Sequence, residues 1–225
     1  MKNPYNQVSP FSALIDLTLF LSLIFFVRTI HIENLGFWGF SIFKSISTVG
    51  LATLLLYYRK QSWKSLGLTK PGSYRRMLLT IAATLVGTIV SVTLFGSFIN
   101  DLFDSSESSN SSSIFNDMEG NISMFFSIIL FVWIESFLEE LQDRGFSLNR
   151  FESLFAKVPF STGIAVLAQA AIFGFRHSYD LSPRSLTTGL IGLVFGIVYV
   201  LTGRNLWPLI IAHIFLNTMS MIDRL

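Results

Sequence analysis

The sequence predicts an all-α, polytopic membrane helix bundle with about seven transmembrane helices. Of its 225 residues, 51% are hydrophobic and the mean hydropathy is +0.58. Only 13% are charged, whereas a soluble domain averages about 25%. The apolar residues form continuous runs of about 20 residues, the length of helix that crosses a bilayer, and do not alternate as in a membrane barrel.

Seven apolar segments account for the predicted spans, and no internal repeat is evident. Residues 1–120 contain the first three spans, with a basic loop and an acidic, Ser-rich loop. Residues 121–225 contain the other four spans, and both parts are expected to belong to the same membrane domain. The spans are predicted at 11–30, 37–58, 77–99, 122–140, 160–177, 184–202 and 206–222.

The charges of the loops predict the orientation. The loop at 59–76 is the most basic and is therefore expected in the cytoplasm by the positive-inside rule. The loop at 100–120 is acidic, contains no Lys or Arg, and is expected on the external side. Alternation then places the N-terminus in the cytoplasm. We expect an integral membrane protein, and the small size of the chain favours a bacterial cytoplasmic membrane.

Composition also excludes some classes of partner and chemistry. A net charge of +2 without a basic stripe argues against nucleic-acid binding. The absence of cysteine excludes disulfides, thiolate metal sites and a cysteine nucleophile. Two ionisable residues lie inside the first spans, where such groups usually face a bundle interior or a water-filled cavity. Asp16 and Lys44 lie in the first two spans, where a structural role is expected, and their different depths argue against a direct pair.

Three polar motifs at one-turn helical spacing lie in the later spans. In ESFLEELQDRGF, Glu140 and Arg144 are four residues apart on one face and are predicted to form an ion pair. Glu139 is rotated by about 100° and shares its face with Glu135, so it is free for chemistry. The other two motifs pair Phe173 with His177 and His213 with Asn217.

Each motif alone is weak, because a lone membrane histidine is more often structural than functional. A hairpin of the fourth and fifth spans that turns near Pro159 would place Glu139 and His177 at nearly the same depth. The stretch 146–158 between them is amphipathic, and we expect it to carry the end of the hairpin toward the cytoplasm or the interface.

The motifs EExxxR at 139–144, FxxxH at 173–177 and HxxxN at 213–217 resemble those of the CPBP family. These are the CAAX proteases and bacteriocin-processing enzymes, also called the Abi or type II CAAX prenyl endopeptidase family. The resemblance covers about residues 120–220 and implies an intramembrane endopeptidase. Asp143 is a departure, since many members have a large apolar residue before the arginine, and it adds a charge near the site.

The resemblance implies that Glu139 and His177 activate a water, while His213 and Asn217 stabilise the oxyanion. Peptide hydrolysis needs a base, an acid for the leaving amine and donors for the oxyanion, which these side chains can provide. The implied partners are the lipid bilayer and a membrane-proximal peptide or protein substrate. The implied supporting residues are Glu140, Arg144 and Phe173.

Two questions stay open at this stage. Glu139, His177 and His213 are also able to bind zinc or another divalent metal ion, although no HExxH is present, and a metal-free mechanism is slightly favoured. The alternatives to a peptidase are a non-catalytic scaffold or bacteriocin self-immunity protein of the same fold, and a transporter with a proton relay. The transporter is disfavoured because no inverted repeat is evident.

Overall fold

The computed structural model describes residues 8–30, 35–103 and 120–225, and in these residues it contains helices and no strand, which confirms the predicted all-α class. The ends of the seven regular α-helices that correspond to the predicted spans lie within three residues of their predicted positions, although the fourth continues as a helical run to Leu154. A 3-10 turn at Trp63–Leu66 interrupts the basic loop. The helices are α1 (Pro10–Thr29), α2 (Gly36–Tyr58), α3 (Tyr74–Asp101), α4 (Ile122–Glu140), α5 (Leu148–Leu154), α6 (Ser161–Ser178), α7 (Pro183–Leu201) and α8 (Leu206–Ile222).

Short polar residues start several of the helices, as expected where free N–H groups need acceptors. Ser9 precedes Pro10 and accepts from the N–H of Ser12, and Asn121 accepts from that of Met124. Between these caps the helices are long and apolar. In the described residues, five helical runs are long and apolar enough to cross a membrane: α1, α2, α3, residues 122–154 and α7. The polytopic bundle is thus confirmed, with α8 as a shorter apolar helix of 17 residues.

Contacts between loops show which loops share an end of the bundle. The N–H of Leu206 donates to the carbonyl of Gly67 at 2.9 Å, and Tyr199 Oη donates to that of Leu66 at 2.8 Å. At the opposite end, the N–H of Gly120 donates to the carbonyl of Leu225 at 3.0 Å. The loops that share an end of the bundle are those that the predicted alternation places on the same side of the membrane. The cytoplasmic location of the N-terminus stays a prediction. Most of the acidic loop, residues 104–119, lies outside the described residues.

The fourth span continues past its predicted end. A π-helical turn at Leu141–Ser147 joins α4 to α5, so that the helical run extends to Leu154. Such turns disturb the regular hydrogen-bond ladder and often occur at functional sites. The side-chain amide of Asn149 donates to the carbonyls of Arg144 and Gly145 at 3.0 and 2.7 Å, which satisfies acceptors within the turn.

The expectation that the stretch 146–158 is amphipathic and reaches the interface is wrong for its first half. Residues 146–153 are buried on all sides. Their polar side chains have partners inside the bundle, because Arg150 Nε lies 2.8 Å from Asp16 and Glu152 lies 2.7 Å from Arg204. Mixed polar and apolar residues therefore indicate internal ion pairs here, and not a water-facing side.

Asp16 ties three segments together and provides a test of this packing. Its buried carboxylate accepts from Arg150 Nε and from Arg59 Nη2, each at 2.8 Å. We expect Asp16→Asn to lower the free energy of unfolding by about 3–5 kcal/mol, because Arg150 would stay buried without a counter-charge. Unfolding in detergent, followed by circular dichroism, measures this loss. The control is Asp101→Asn at the exposed end of α3, and equal stability of the two variants would contradict the assignment.

Candidate active site

The three motifs converge on the carboxylate of Glu139, at the end of α4. Its Oε1 lies 3.8 Å from His177 Nε2 on α6, and its Oε2 lies 3.6 Å from His213 Nε2 on α8. The Glu139 side chain is 20% exposed, so it remains accessible within the bundle. The fold therefore places one carboxylate between two imidazoles that are far apart in the sequence.

Both imidazole rings are oriented by hydrogen bonds at their other nitrogen. His177 Nδ1 lies 2.6 Å from the carbonyl of Phe173, one turn earlier on α6. His213 Nδ1 lies 2.8 Å from Glu140 Oε1. A proton on each Nδ1 satisfies both contacts, so that each Nε2 is directed toward Glu139. The two adjacent glutamates therefore contact different atoms. Glu139 faces the Nε2 atoms of both histidines, and Glu140 contacts Nδ1 of His213.

The predicted ion pair between Glu140 and Arg144 is present and fully buried, with Nη1 3.0 Å from Oε1. The guanidinium also lies over the rings of Phe173 and Phe195, 4.6 and 4.8 Å from their centroids. Gly192 permits this arrangement, because a Cβ there would lie 2.9 Å from the ring of Phe173. The pair therefore has aromatic faces around it in place of water.

Asn217 lies one turn after His213 on α8 and is held by a hydrogen bond to α4. Its Nδ2 donates to Ser136 Oγ at 2.9 Å, and Ser136 Oγ donates to the carbonyl of Val132 at 2.8 Å. The structure thus brings six of the seven candidate side chains into one contact network and attaches Asn217 to α4 beside it. That network consists of Glu139, Glu140, Arg144, Phe173, His177 and His213.

Sequence reasoning missed Arg176, which it treated as a spacer within the FxxxH motif. Arg176 Nη2 lies 2.6 Å from Asp143 Oδ2 and 3.7 Å from Glu139 Oε1, and Nη1 donates to Gln142 at 3.0 Å. Asp143 and Arg176 are both nearly buried. A signal was available, since Asp143 and Arg176 are charges without an assigned role inside the first two motifs and have opposite signs.

A small cavity of about 160 Å³ opens on one side of Glu139. Glu135, predicted to share the face of Glu139, lines the same cavity. The opposite wall comes from α1 and α2, which the motif analysis left without a functional role. The lining residues are Ile24, Val27, Ser41, Lys44, Ser45, Thr48, Glu135, Glu139, Gln142, Arg176, His177 and Tyr179.

The fit of a metal ion depends on the positions of the candidate donors. Glu139, His177 and His213 are donor types that zinc accepts. Within the described residues, however, no group of three or more His, Cys, Asp or Glu side chains is arranged so that it could hold a metal ion. As they are placed, the three side chains do not fit a metal site, and no step below depends on a metal.

The comparison with family models gives a match, described as type II CAAX prenyl endopeptidase Rce1-like, over residues 121–219. Neither the curated proteins nor the solved structures give a match. The matched residues contain all three motifs and every side chain of the contact network. Over residues 121–219 the sequence is therefore similar to the type II CAAX prenyl endopeptidase Rce1-like family, which supports the resemblance of its motifs to the CPBP family.

Proposed function

We propose that this protein is an intramembrane endopeptidase that hydrolyses a peptide bond in a membrane-associated substrate. The observation that carries the proposal is the Glu139 carboxylate, which lies 3.8 and 3.6 Å from two imidazole Nε2 atoms beside a cavity within the bundle. The family is a protease family, which supports a hydrolase in general. The bond cleaved and the residue roles are part of the proposal.

Glu139 and His177 activate the water in this mechanism. Both line the cavity, and a water between them can pass a proton to Glu139. The oxygen of this water then attacks the carbonyl carbon of the substrate's peptide bond. The nitrogen–carbon bond then breaks as the proton moves to the leaving amine. The products are one new carboxylate and one new amine, so a single water is consumed and no other reactant is needed.

His213 and Asn217 stabilise the oxyanion of the tetrahedral intermediate. His213 donates through Nε2 when both ring nitrogens are protonated, and Glu140 at Nδ1 is then its counter-ion. Asn217 has a second amide hydrogen besides the one donated to Ser136. Donors that are already fixed in position need no rearrangement as the charge develops. Glu140, Arg144 and Phe173 hold His213 and His177 in place.

The setting that we propose is a bacterial cytoplasmic membrane, with the N-terminus and the basic loop in the cytoplasm. The substrate is a membrane-proximal peptide or protein segment, because the cavity is surrounded by helices of the bundle. A cavity of about 160 Å³ has room for a side chain or a short piece of backbone, but not for a folded domain.

The test is cleavage of quenched fluorescent peptides, prenylated CAAX peptides included, by the purified protein in detergent. We expect cleavage by the wild type, and an unchanged initial rate after treatment with a chelator. A rate that falls with chelator and returns with added zinc would contradict the metal-free mechanism. A folded wild type that cleaves no peptide would favour a scaffold or self-immunity protein, and proton-coupled uptake into vesicles would favour a transporter.

A further inference from the structure

One cation of the cavity has no role in the mechanism above. Lys44 lies on α2, outside the residues that match the family, and lines the same cavity as Glu139 and His177. It is eight residues into the helix, about 12 Å from its start. A lysine at such a depth is costly in a membrane and usually marks a hydrated path or a site of binding.

The other cations near the cavity already have partners. Arg176 lies 2.6 Å from Asp143, and Arg28 lies over the ring of Tyr179, 3.8 Å from its centroid. Lys44, in contrast, has no carboxylate oxygen within 4.0 Å among the residues that the structure describes. Its ammonium lies 5.3 Å from the centroid of the Phe40 ring. Of the two cations that line the cavity in the described residues, Arg176 therefore has a carboxylate partner, while the ammonium of Lys44 has only a ring contact and is available to an anionic ligand.

A structural alternative is that Lys44 only balances the charge of Glu135. Glu135 and Glu139 line the same cavity as Lys44, and opposite charges at such a site attract each other. Glu135 Oε2, however, accepts from Ser45 at 2.6 Å, and its Oε1 is buried without a hydrogen-bond partner in the described residues. Lys44 and Glu135 thus face one cavity without satisfying each other, as expected of a site that holds a further polar group.

The position of Lys44 sets how far its ligand lies from the scissile bond. The hydrogen bond of Ser45 to Glu135 places this part of α2 level with Glu135. Glu135 is four residues before Glu139, or about 6 Å along the helix axis. An extended peptide covers about 3.3–3.6 Å per residue. A group bound by Lys44 therefore lies about two residues from a carbonyl at Glu139.

We propose that Lys44 binds a carboxylate of the substrate, about two residues from the cleaved bond, and so determines specificity. This inference rests on the proposed peptidase function. The carboxylate can be the C-terminus of the peptide or the side chain of an Asp or Glu, because both present the same oxygens to an ammonium. An amide in that place can accept a hydrogen bond but leaves the ammonium without a counter-charge.

The test measures binding separately from cleavage. An apolar heptapeptide is made with a free C-terminal carboxylate, with a C-terminal amide, and as the amide with one Glu at each position in turn. Binding of each is titrated to Glu139→Gln and to the double variant Glu139→Gln/Lys44→Gln, in detergent and over the same concentrations. The matched control is Glu139→Gln/Lys70→Gln, since Lys70 is exposed in the basic loop.

We expect at least one carboxylate peptide to bind Glu139→Gln about 10- to 100-fold more tightly than the amide, because charged hydrogen bonds have that strength. The preference disappears in the Lys44→Gln double variant and remains in the Lys70→Gln control. The free-carboxylate and Glu peptides distinguish the two sources of the carboxylate.

Equal binding of carboxylate and amide peptides by Glu139→Gln, or no binding of any, would overturn the inference. So would a preference that survives Lys44→Gln. Cleavage by the wild type is measured in parallel, so that the two proposals are separable. A wild type that cleaves nothing but shows a Lys44-dependent preference would refute the peptidase and retain the carboxylate site.

Discussion

Glu139→Gln is expected to lower the rate of peptide cleavage by about 10²- to 10⁴-fold, the usual contribution of a positioned general base. Glutamine has nearly the same shape but cannot take a proton from water. The fold is expected to tolerate the change, because the Glu139 side chain is 20% exposed and its distances to both imidazoles exceed 3.5 Å. The measurement is kcat/KM with a cleaved peptide, alongside the melting temperature in detergent.

A matched control for this variant is Asp223→Asn, a loss of one acid at the exposed end of α8. It is expected to leave both the rate and the melting temperature unchanged. Full activity in Glu139→Gln would refute the mechanism. A melting temperature that falls far below that of the control would show that Glu139 is a structural residue, and the loss of rate would then say nothing about a base.

Glu140→Ala is expected to give the opposite signature, with a loss of stability of about 3–5 kcal/mol. Its carboxylate is completely buried and contacts both Arg144 and His213. Removal of the carboxylate leaves the Arg144 guanidinium charged and without a carboxylate between two phenylalanine rings. The free energy of unfolding in detergent measures the effect, and a loss comparable to that of an exposed substitution would contradict the assignment.

A double variant separates the structural role of Glu140 from its effect on catalysis. In Glu140→Gln/Arg144→Met the uncompensated charge is absent, and replacement of a buried ion pair by neutral groups is often close to neutral in stability. We expect most of the lost stability to return. Cleavage is expected to stay low, because the glutamine amide carries no charge and cannot serve as the counter-ion of His213 when both of its ring nitrogens are protonated. Recovery of both stability and cleavage in the double variant would show that Glu140 contributes only to stability.

Continuous apolar runs were sufficient to predict the helices, and helical spacing was sufficient to predict the contacts within a helix. Glu140 and Arg144 were paired from their separation of four residues, and the structure has that pair. The common face of Glu135 and Glu139 was predicted in the same way, and both line the cavity. Rules of this kind succeed because residues one turn apart on a helix are neighbours whatever surrounds the helix.

Contacts between helices were much harder to predict. The pair of Arg176 with Asp143 joins α6 to the π turn after α4, and local spacing gives no information on such a distance. The burial of residues 146–153 was missed for the same reason, since Arg150 and Glu152 have partners on α1 and beside α8. Lys44 was expected to have a structural role, like most single charges in a span. Its place in the same cavity as Glu139 depends on how α2 packs against α4, which the sequence does not give.

The contacts of the loop around Gly67 determine how far the chain can be shortened. Gly67 has φ +99°, and a Cβ there would lie 2.0 Å from the carbonyl oxygen of Arg204, so that the backbones touch. Leu206, at the start of the helix that carries His213, donates its N–H to this loop. A fragment that begins at residue 121 would lack that acceptor, the partner of Arg150 and a wall of the cavity. We therefore expect the boundary of family likeness to be a poor site for truncation, and expression of the second half alone to give an inactive chain that is readily degraded.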